Sequence, residues 1–358
     1  MTLESLASSS QLVELLSGVD ALYASSKTVI PNEFFKNLIT MKEHVRGSDS
    51  SPILLDISGQ KFEVSDHAWG RYPVAIDHEF GRLGFTKSES LPGIRLQVRS
   101  KYLHAVGAKQ ALNWFTTRLH ELDIHPLWTL SRLDLFTDVQ GWNLQAKDEH
   151  FFKCRASDMT SRKVSNKFSG FEFGRRKTGT INARIYDKTL EMLKNPNGWT
   201  YSQWGDRFNH DERVLRIEFE FHTALMREVG IITADQGLIL TPELWAYATD
   251  NWLTFRESSE DTNDSRWAIA PEWRDIQNAS LRGTAIAIER IRKCEDEIAM
   301  SRLIPGLHGY LTSVGARLGA TDLRSSIEVA FDLINKEEEL GNRSTTEKLQ
   351  YKKSRLGR

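Results

Sequence analysis

Cysteine is scarce: Cys154 and Cys294 are the only two in 358 residues. Two thiols cannot build a disulfide framework, and neither sits at zinc-site spacing, so a reducing cytoplasm is the expected compartment. The ten histidines form no HxH or HExxH pair, which argues against a histidine-rich metal centre. No hydrophobic run approaches a bilayer span, so no membrane association is expected. The opening MTLESLASSSQLVELLSG lacks a basic segment ahead of an apolar core and does not read as a signal peptide. Net charge is −1, so the chain as a whole has no electrostatic pull toward a polyanion. What is present is ordinary for a globular protein: 40% hydrophobic residues and 27% charged, in a length that holds two domains or one large one with an appendage.

The charge is unevenly spread. Residues 151–188 carry ten Lys and Arg against Asp158, Glu172 and Asp187. The tail 343–358 carries six against Glu347. Two basic patches on a neutral chain suggest a focused anion site, with solvated faces or a disordered tail as the plainer reading.

Hydrophobic periodicity outlines an α+β body. Residues 9–18 read as a short helix, Gly18–Ser25 as a strand, and Pro31 to Lys42 or beyond as a helix. Residues 52–99 read as a five-stranded meander: Ile53–Ser58, Lys61–Val64, Tyr72–Asp77, Gly81–Thr86 and Ile94–Arg99. Tyr102–Leu122 reads as one helix and Trp128–Val139 as a strand. Residues 148–160 read as helical and 161–169 as a basic loop. Next come a hairpin over 170–188, a helix over Thr189–Leu193, a strand over Arg213–His222 and a helix from Thr223. Beyond 235 strand signals fade. Pro242–Thr254, Pro271–Ile276, Thr284–Leu303 and Thr321–Lys336 read as helices, Pro305-Gly306 as a break, and Glu257–Ser265 as a linker. The expected division is an N-terminal segment 1–17, an α+β domain 18–235 and a helical region 236–358 with a basic tail. An Asp in an apolar strand opens two similar stretches, Val19-Asp20-Ala21-Leu22 and Leu133-Asp134-Leu135-Phe136. The sheet is therefore expected to be antiparallel and to consist of two possibly related halves.

The chemistry gathers around GFEFGRRKTGTINARIYDKTLE, residues 170–191. Tyr186 lies where strand gives way to helix, with Arg184 and Lys188 at the same parity. A tyrosine among cations can attack a phosphodiester, because cations favour phenolate and bind phosphate. In isolation it would be a cross-strand aromatic. Two strands carry acids on one face: Asp134 and Asp138 with Arg132, and Glu218 and Glu220 with Arg216 and His222. Either these faces meet solvent and the arginines pair the acids, or they converge on a cleft that holds a hard divalent cation, Mg²⁺ or Mn²⁺. Trp252, Trp267 and Trp273 could stack bases, with core packing the plainer reading.

The runs RLDLFTDV, GFEFGRRKTGTINARIYDKTLE and RVLRIEFEF, with the earlier GVDALYASS, resemble the replication initiation factor family over roughly residues 18–230. That family comprises rolling-circle initiators of plasmids and some filamentous phages, and relaxases of conjugative elements. The resemblance implies a diverged version of the HUH-relaxase sheet with a carboxylate metal site. It implies nicking of one strand at an origin hairpin, with a 5′-phosphotyrosyl link. Carried over, Tyr186 is the nucleophile. Asp134 and Glu218 are the first metal ligands, with Asp20, Asp138 and Glu220 behind them. Arg184, Lys188, Arg175 and Arg216 would contact phosphate; apart from the resemblance, the Arg175-Arg176-Lys177 end of the hairpin reads as a strand clamp. The implied partners are origin DNA, a host helicase and a second copy of the chain. Tyr201 is the nearest other tyrosine, so how a round of replication ends is open. Two other functions remain in view, a non-catalytic DNA-binding regulator and a metal-dependent phosphoesterase.

Overall fold

A computed structural model describes residues 12–47, 52–175, 179–194, 198–289, 295–341 and 344–355. The chain forms two compact units, Met1–Ile291 and Arg292–Arg358. The strands of the first are β1 (Val13–Ser26), β2 (Leu54–Ile57), β3 (Gln60–Val64), β4 (Val74–His78), β5 (Gly81–Phe85), β6 (Ile94–Val98), β7 (Thr129–Gln140), β8 (Phe152–Cys154), β9 (Met159–Val164), β10 (Lys167–Phe173), β11 (Ile181–Asp187), β12 (Leu215–His222) and β13 (Leu253–Phe255). Its helices are α1 (Asn32–Gly47), α2 (Ser100–Val106), α3 (Ala108–His120), α4 (Lys188–Lys194), α5 (Gly198–Trp204), α6 (Thr223–Glu228), α7 (Ala234–Ile239), α8 (Thr241–Tyr247) and α9 (Pro271–Gln277).

Eleven strands make one antiparallel sheet in the order β2-β3-β4-β5-β6-β1-β7-β12-β11-β10-β9. The connectivity repeats. In each half the opening strand, β1 or β7, lies at the centre, and the last strand, β6 or β12, pairs with it. Earlier strands then follow outward. The two halves meet where β1 pairs antiparallel with β7. The α+β fold expected from periodicity is the one observed, and its two halves share a strand order.

One sheet face is apolar throughout. Leu22, Leu83, Leu96, Leu133, Leu135, Ile185, Ile217 and Phe219 are all fully buried there or nearly so. Phe115 of α3 lies close over Gly81, and Trp245 of α8 packs edge-on to Phe219. The other face carries the charges of β7, β12 and β11. It therefore decides what the sheet can do.

Several local expectations are corrected. The helix expected over 9–18 is strand from Val13, because Val13 pairs with Gln140 and the ladder to β7 overrides helical spacing; residues 9–11 lie outside the described residues. The helix over Tyr102–Leu122 is two helices, broken at Gly107, whose φ is +82°. The helix over 148–160 and the loop over 161–169 are a short 3₁₀ turn, β8, and the β9–β10 hairpin. That hairpin turns on Ser165 and Asn166, both at positive φ, as a two-residue connection of right-twisted strands requires. The helix over Pro242–Thr254 ends in a π-helical turn, Ala248–Trp252, and then β13, which pairs with β8. This pairing, with Trp245, Trp252 and Trp273 in the common core, moves the boundary from near 235–240 to residue 291. Trp252 and Trp273 are thus core residues rather than base-stacking ones.

The second unit contains α10 (Glu295–Arg317), α11 (Leu323–Glu339) and α12 (Thr345–Arg355). Residues 284–289 are irregular rather than helical, and α10 runs through Pro305 instead of breaking there. Helices α10 and α11 approach closely at Gly315, where a Cβ would come within 2.0 Å of Ser326 Oγ. Asp322 caps α11 through Ser325 N–H at 2.8 Å. Among the described residues, no helix of either unit is long and apolar enough to cross a membrane.

Candidate active site

The middle of the charged face is not solvated. Asp134, Asp138, Glu218 and Arg216 are each 1% exposed or less. Buried charges need partners, and the register supplies them for Asp138 and Glu218. Asp134 faces Glu220, Asp138 faces Arg216, Glu218 faces Arg184, and Arg216 faces Tyr186 across neighbouring strands.

Tyr186 donates its phenolic proton to Glu218 Oε2 at 3.1 Å. The other oxygen of Glu218 accepts from the Arg184 guanidinium. Arg184 Cζ stands 5.3 Å from the Tyr186 ring centre and Lys188 Nζ 5.8 Å. Lys188 also pairs with Glu191 at 2.5 Å. The ring lines a cavity of about 200 Å³ between β9, β10, β11 and α4, bounded by Arg162, Gly170 and Leu190 among others. Gly170, directly opposite Tyr186, has φ +145°, and a Cβ there would come within 1.9 Å of Ile185 O. Only glycine lets β10 pass this close to the tyrosine. The cations do not produce a phenolate. Burial, and then the Glu218 carboxylate, push the Tyr186 hydroxyl well above its ordinary value against the pull of Arg216 and Arg184. The phenol is neutral and hydrogen-bonded to a carboxylate.

Beside it lies a carboxylate group. Arg132 Nε donates to Asp134 Oδ1 at 2.8 Å, and its Nη2 reaches both Asp134 Oδ2 and Glu220 Oε2, the latter at 2.7 Å. His222 Nε2 lies 2.7 Å from the second oxygen of Glu220. Burial, reinforced by Glu218 and Glu220, pushes the Asp134 carboxyl up to about 8. Glu220 is held below its ordinary value, because His222 and Arg132 outweigh its burial. The carboxylate oxygens of Asp134 and Glu220 are donors of the kind that suit a hard cation. Among the described residues no three His, Cys, Asp or Glu side chains are drawn together as a ready-made metal cage. Arg132 Nη2 bridges Asp134 and Glu220, so one positive charge is already shared by the two carboxylates. Asp134 and Glu220 fit in donor type.

Glu218, expected as a first ligand, has its two oxygens taken up by Arg184 and Tyr186, and the other two predicted ligands do not join this group. Asp138 is closed off by Arg216, through Nε at 2.7 Å and Nη2 at 2.8 Å, and by Trp204 Nε1 at 2.8 Å. Asp20 is the extra residue of a β-bulge in β1, between Val19 and Ala21. Its Oδ1 accepts from Ser100 Oγ, Arg216 Nη1 and His104 Nε2 at 2.9, 2.9 and 3.2 Å. Burial opposes its ionisation, but His104 and Arg216 outweigh it and hold the carboxyl far below the usual carboxylate range. Arg216, expected on phosphate, is turned inward onto these two acids and stacks 4.0 Å from the Phe136 ring centre. Arg175 is tied to Asp158 at 3.0 Å. It lies beyond the Ile181 end of β11, about 17 Å along the strand from Tyr186. Arg176 and Lys177 lie outside the described residues. Tyr201 packs on Trp204 and Phe208. Sequence reasoning missed His104 and Ser100, and it read Arg132 as a partner of the acids without its bridge from Asp134 to Glu220. The first two come from a helix some 80 residues from Asp20 in sequence and left no local signal. Arg132 did leave one, since it shares a strand face with Asp134 two residues on.

The raised Asp134 carboxyl has a testable sign. From an ordinary 3.8 to about 8, the folded protein binds a proton that the unfolded chain releases, so this group erodes stability as pH rises through that window. Asp134→Asn is expected to raise the thermal midpoint at pH 8 and to change it little at pH 5. Melting at the two pH values checks this; an equal shift at both would contradict it.

No protein-family model matches the chain, and no curated protein matches it in sequence. In overall structure the chain is similar to a rolling circle replication initiator protein from Geobacillus stearothermophilus, at a TM-score of 0.46 and 15% identity, over 76% of this chain and 98% of that one. At that identity the likeness transfers no residue role.

Proposed function

We propose that the protein is a DNA strand transferase that cuts one strand and becomes linked to it through Tyr186, as the initiation of rolling-circle replication or conjugative transfer requires. The single observation that carries this reading is the Tyr186–Glu218 hydrogen bond, set between Arg184 and Lys188 at the wall of an open cavity. A neutral phenol is a poor nucleophile until a base takes its proton. Glu218 Oε2 is in place to do so. The Tyr186 oxygen then forms a bond to phosphorus, the bond from phosphorus to the 3′ oxygen breaks, and that oxygen leaves and is protonated from water. Arg184 and Lys188 neutralise the nonbridging oxygens. Asp134 and Glu220 would hold Mg²⁺ or Mn²⁺, which when bound neutralises charge developing at the phosphate. The phosphotyrosyl bond keeps the energy of the broken phosphodiester, so the strand can be rejoined without another energy source.

The experiment is covalent trapping with single-stranded oligonucleotides of randomised sequence, labelled at either end. With Mg²⁺ or Mn²⁺ present, strands labelled at the 3′ end are expected to migrate with the protein under denaturing conditions. Strands labelled at the 5′ end are expected to be released shortened, and a chelator is expected to reduce both products. Binding without either product would favour a DNA-binding regulator. Turnover of small phosphoesters without an adduct would favour a hydrolase.

A further inference from the structure

The charged face continues past the tyrosine into the N-terminal half of the sheet, and there its character changes. Tyr23 on β1, Arg95 on β6 and Arg132 on β7 stand on the face opposite the apolar core, half-buried. Arg132 Cζ lies 5.4 Å from the Tyr23 ring centre and Arg95 Cζ 5.8 Å from the same ring. Arg95 Cζ also lies 4.3 Å from the ring centre of Trp69, and Arg82 Cζ lies 5.6 Å from that same centre. Trp69 can lie down on the sheet only because residue 84 is glycine, where a Cβ would come within 2.9 Å of its Cε3. Arginine and aromatic groups thus alternate across β5, β6, β1 and β7. An open cavity of about 520 Å³ joins Tyr23 and Arg95 to Arg132 and Arg184, with Glu220 and His222 also on its wall. Arg184 is the residue that flanks Tyr186.

From this we infer that Trp69, Arg95, Tyr23 and Arg132 form a track for unpaired DNA that leads into the Tyr186 site. Among the described residues no carboxylate pairs with Arg95, so this buried-edge guanidinium has charge to offer a phosphate. Aromatic faces beside cations are what single strands bind, since every base has a face to stack and every linkage carries a charge. A duplex offers neither open base faces nor a flexible backbone. Five strand spacings separate β5 from β11, about 24 Å, so the track spans a few nucleotides on one side of the scissile phosphate. The inference rests on the reading of Tyr186 as a DNA-cutting residue, and assigns where the strand lies.

The test uses the full chain carrying Tyr186→Phe, so that no cleavage intervenes, and fluorescence anisotropy with labelled oligothymidylate. In that background Trp69→Ala and Tyr23→Ala are each expected to raise Kd about tenfold. Trp69→Phe and Tyr23→Phe are expected to stay close to the parent. Arg95→Ala is expected to weaken binding and to lower its salt dependence by about one phosphate contact. Tyr23→Leu keeps apolar bulk without an aromatic face and is expected to behave as Tyr23→Ala, which separates stacking from packing; melting curves identify any variant that fails to fold. If the parent binds oligothymidylate and both alanine variants bind it equally well, the track is wrong while the tyrosine site stands. If the parent binds no single strand at all, the reading beneath it falls too.

Discussion

Tyr186→Phe is expected to reduce the covalent DNA adduct below detection, because the variant has no oxygen to bond to phosphorus. Glu218→Gln should keep the nucleophile and lose the proton acceptor, slowing adduct formation by roughly 10²–10⁴-fold. Glu218→Gln should also differ from the parent in pH behaviour. Burial and Glu218 hold the phenol well above its ordinary value, so almost none is ionised near neutrality. With Glu218 as base, the proton leaves during attack. Without it, the reaction must draw on solvent hydroxide, and the residual rate of Glu218→Gln should climb with pH. Quenched time courses of adduct formation across pH check both points. A Glu218→Gln enzyme with the parent's rate and pH profile would remove the carboxylate from the mechanism. The position of Tyr186 itself depends on Gly170, where a Cβ would meet the backbone of Ile185 and Tyr186.

Arg216→Met is expected to destabilise the first unit by about 3–5 kcal/mol, the largest stability effect on this face. Its guanidinium makes three hydrogen bonds to two acids, and its removal leaves Asp138, fully buried, with only Trp204. Much of the loss is the penalty of the orphaned carboxylate rather than the worth of the pair. Arg216→Met combined with Asp138→Leu should therefore recover part of it. Asp20 adds a pH dependence. Its carboxyl is held far below the usual range in the fold, so its contribution is full above the ordinary aspartate value of 3.8 and is lost as pH falls toward the folded value. Arg216→Met should weaken that acid sensitivity. All ten tryptophans precede residue 292, so denaturant unfolding followed by their fluorescence reads the first unit alone. A loss under 1 kcal/mol would mean that the network is not what anchors β12 to β7.

Most of the sheet was legible because β7, β11 and β12 alternate strictly. Alternation also put Asp134, Glu218, and Arg184 with Tyr186 each on the polar side of its own strand; that these sides form one sheet face comes from the strand pairing. Alternation says nothing about what covers a face, so the choice between solvent and cleft stayed open. The outcome is a third arrangement, a buried face whose acids are paired by Arg132, Arg184 and Arg216. Elements fixed by distant partners were illegible. The first turns of β1 looked helical until β7 was there to pair with, and β8 and β13 are 99 residues apart where Cys154 meets Leu253. The β9–β10 turn escaped notice because Ser165-Asn166 takes the conformation usually marked by Asn-Gly. Trp69 and Tyr23 drew no attention as a pair because the sheet, not the chain, brings them to one arginine.

The most direct measurement is of the adduct itself. Trapped protein–DNA complex, digested with nuclease and protease, should yield one peptide carrying a nucleotide, and fragmentation should place it on Tyr186. The same mass on Tyr201, on a serine or on any residue outside β11 would contradict the account, as would cleavage with no nucleotide left on the protein.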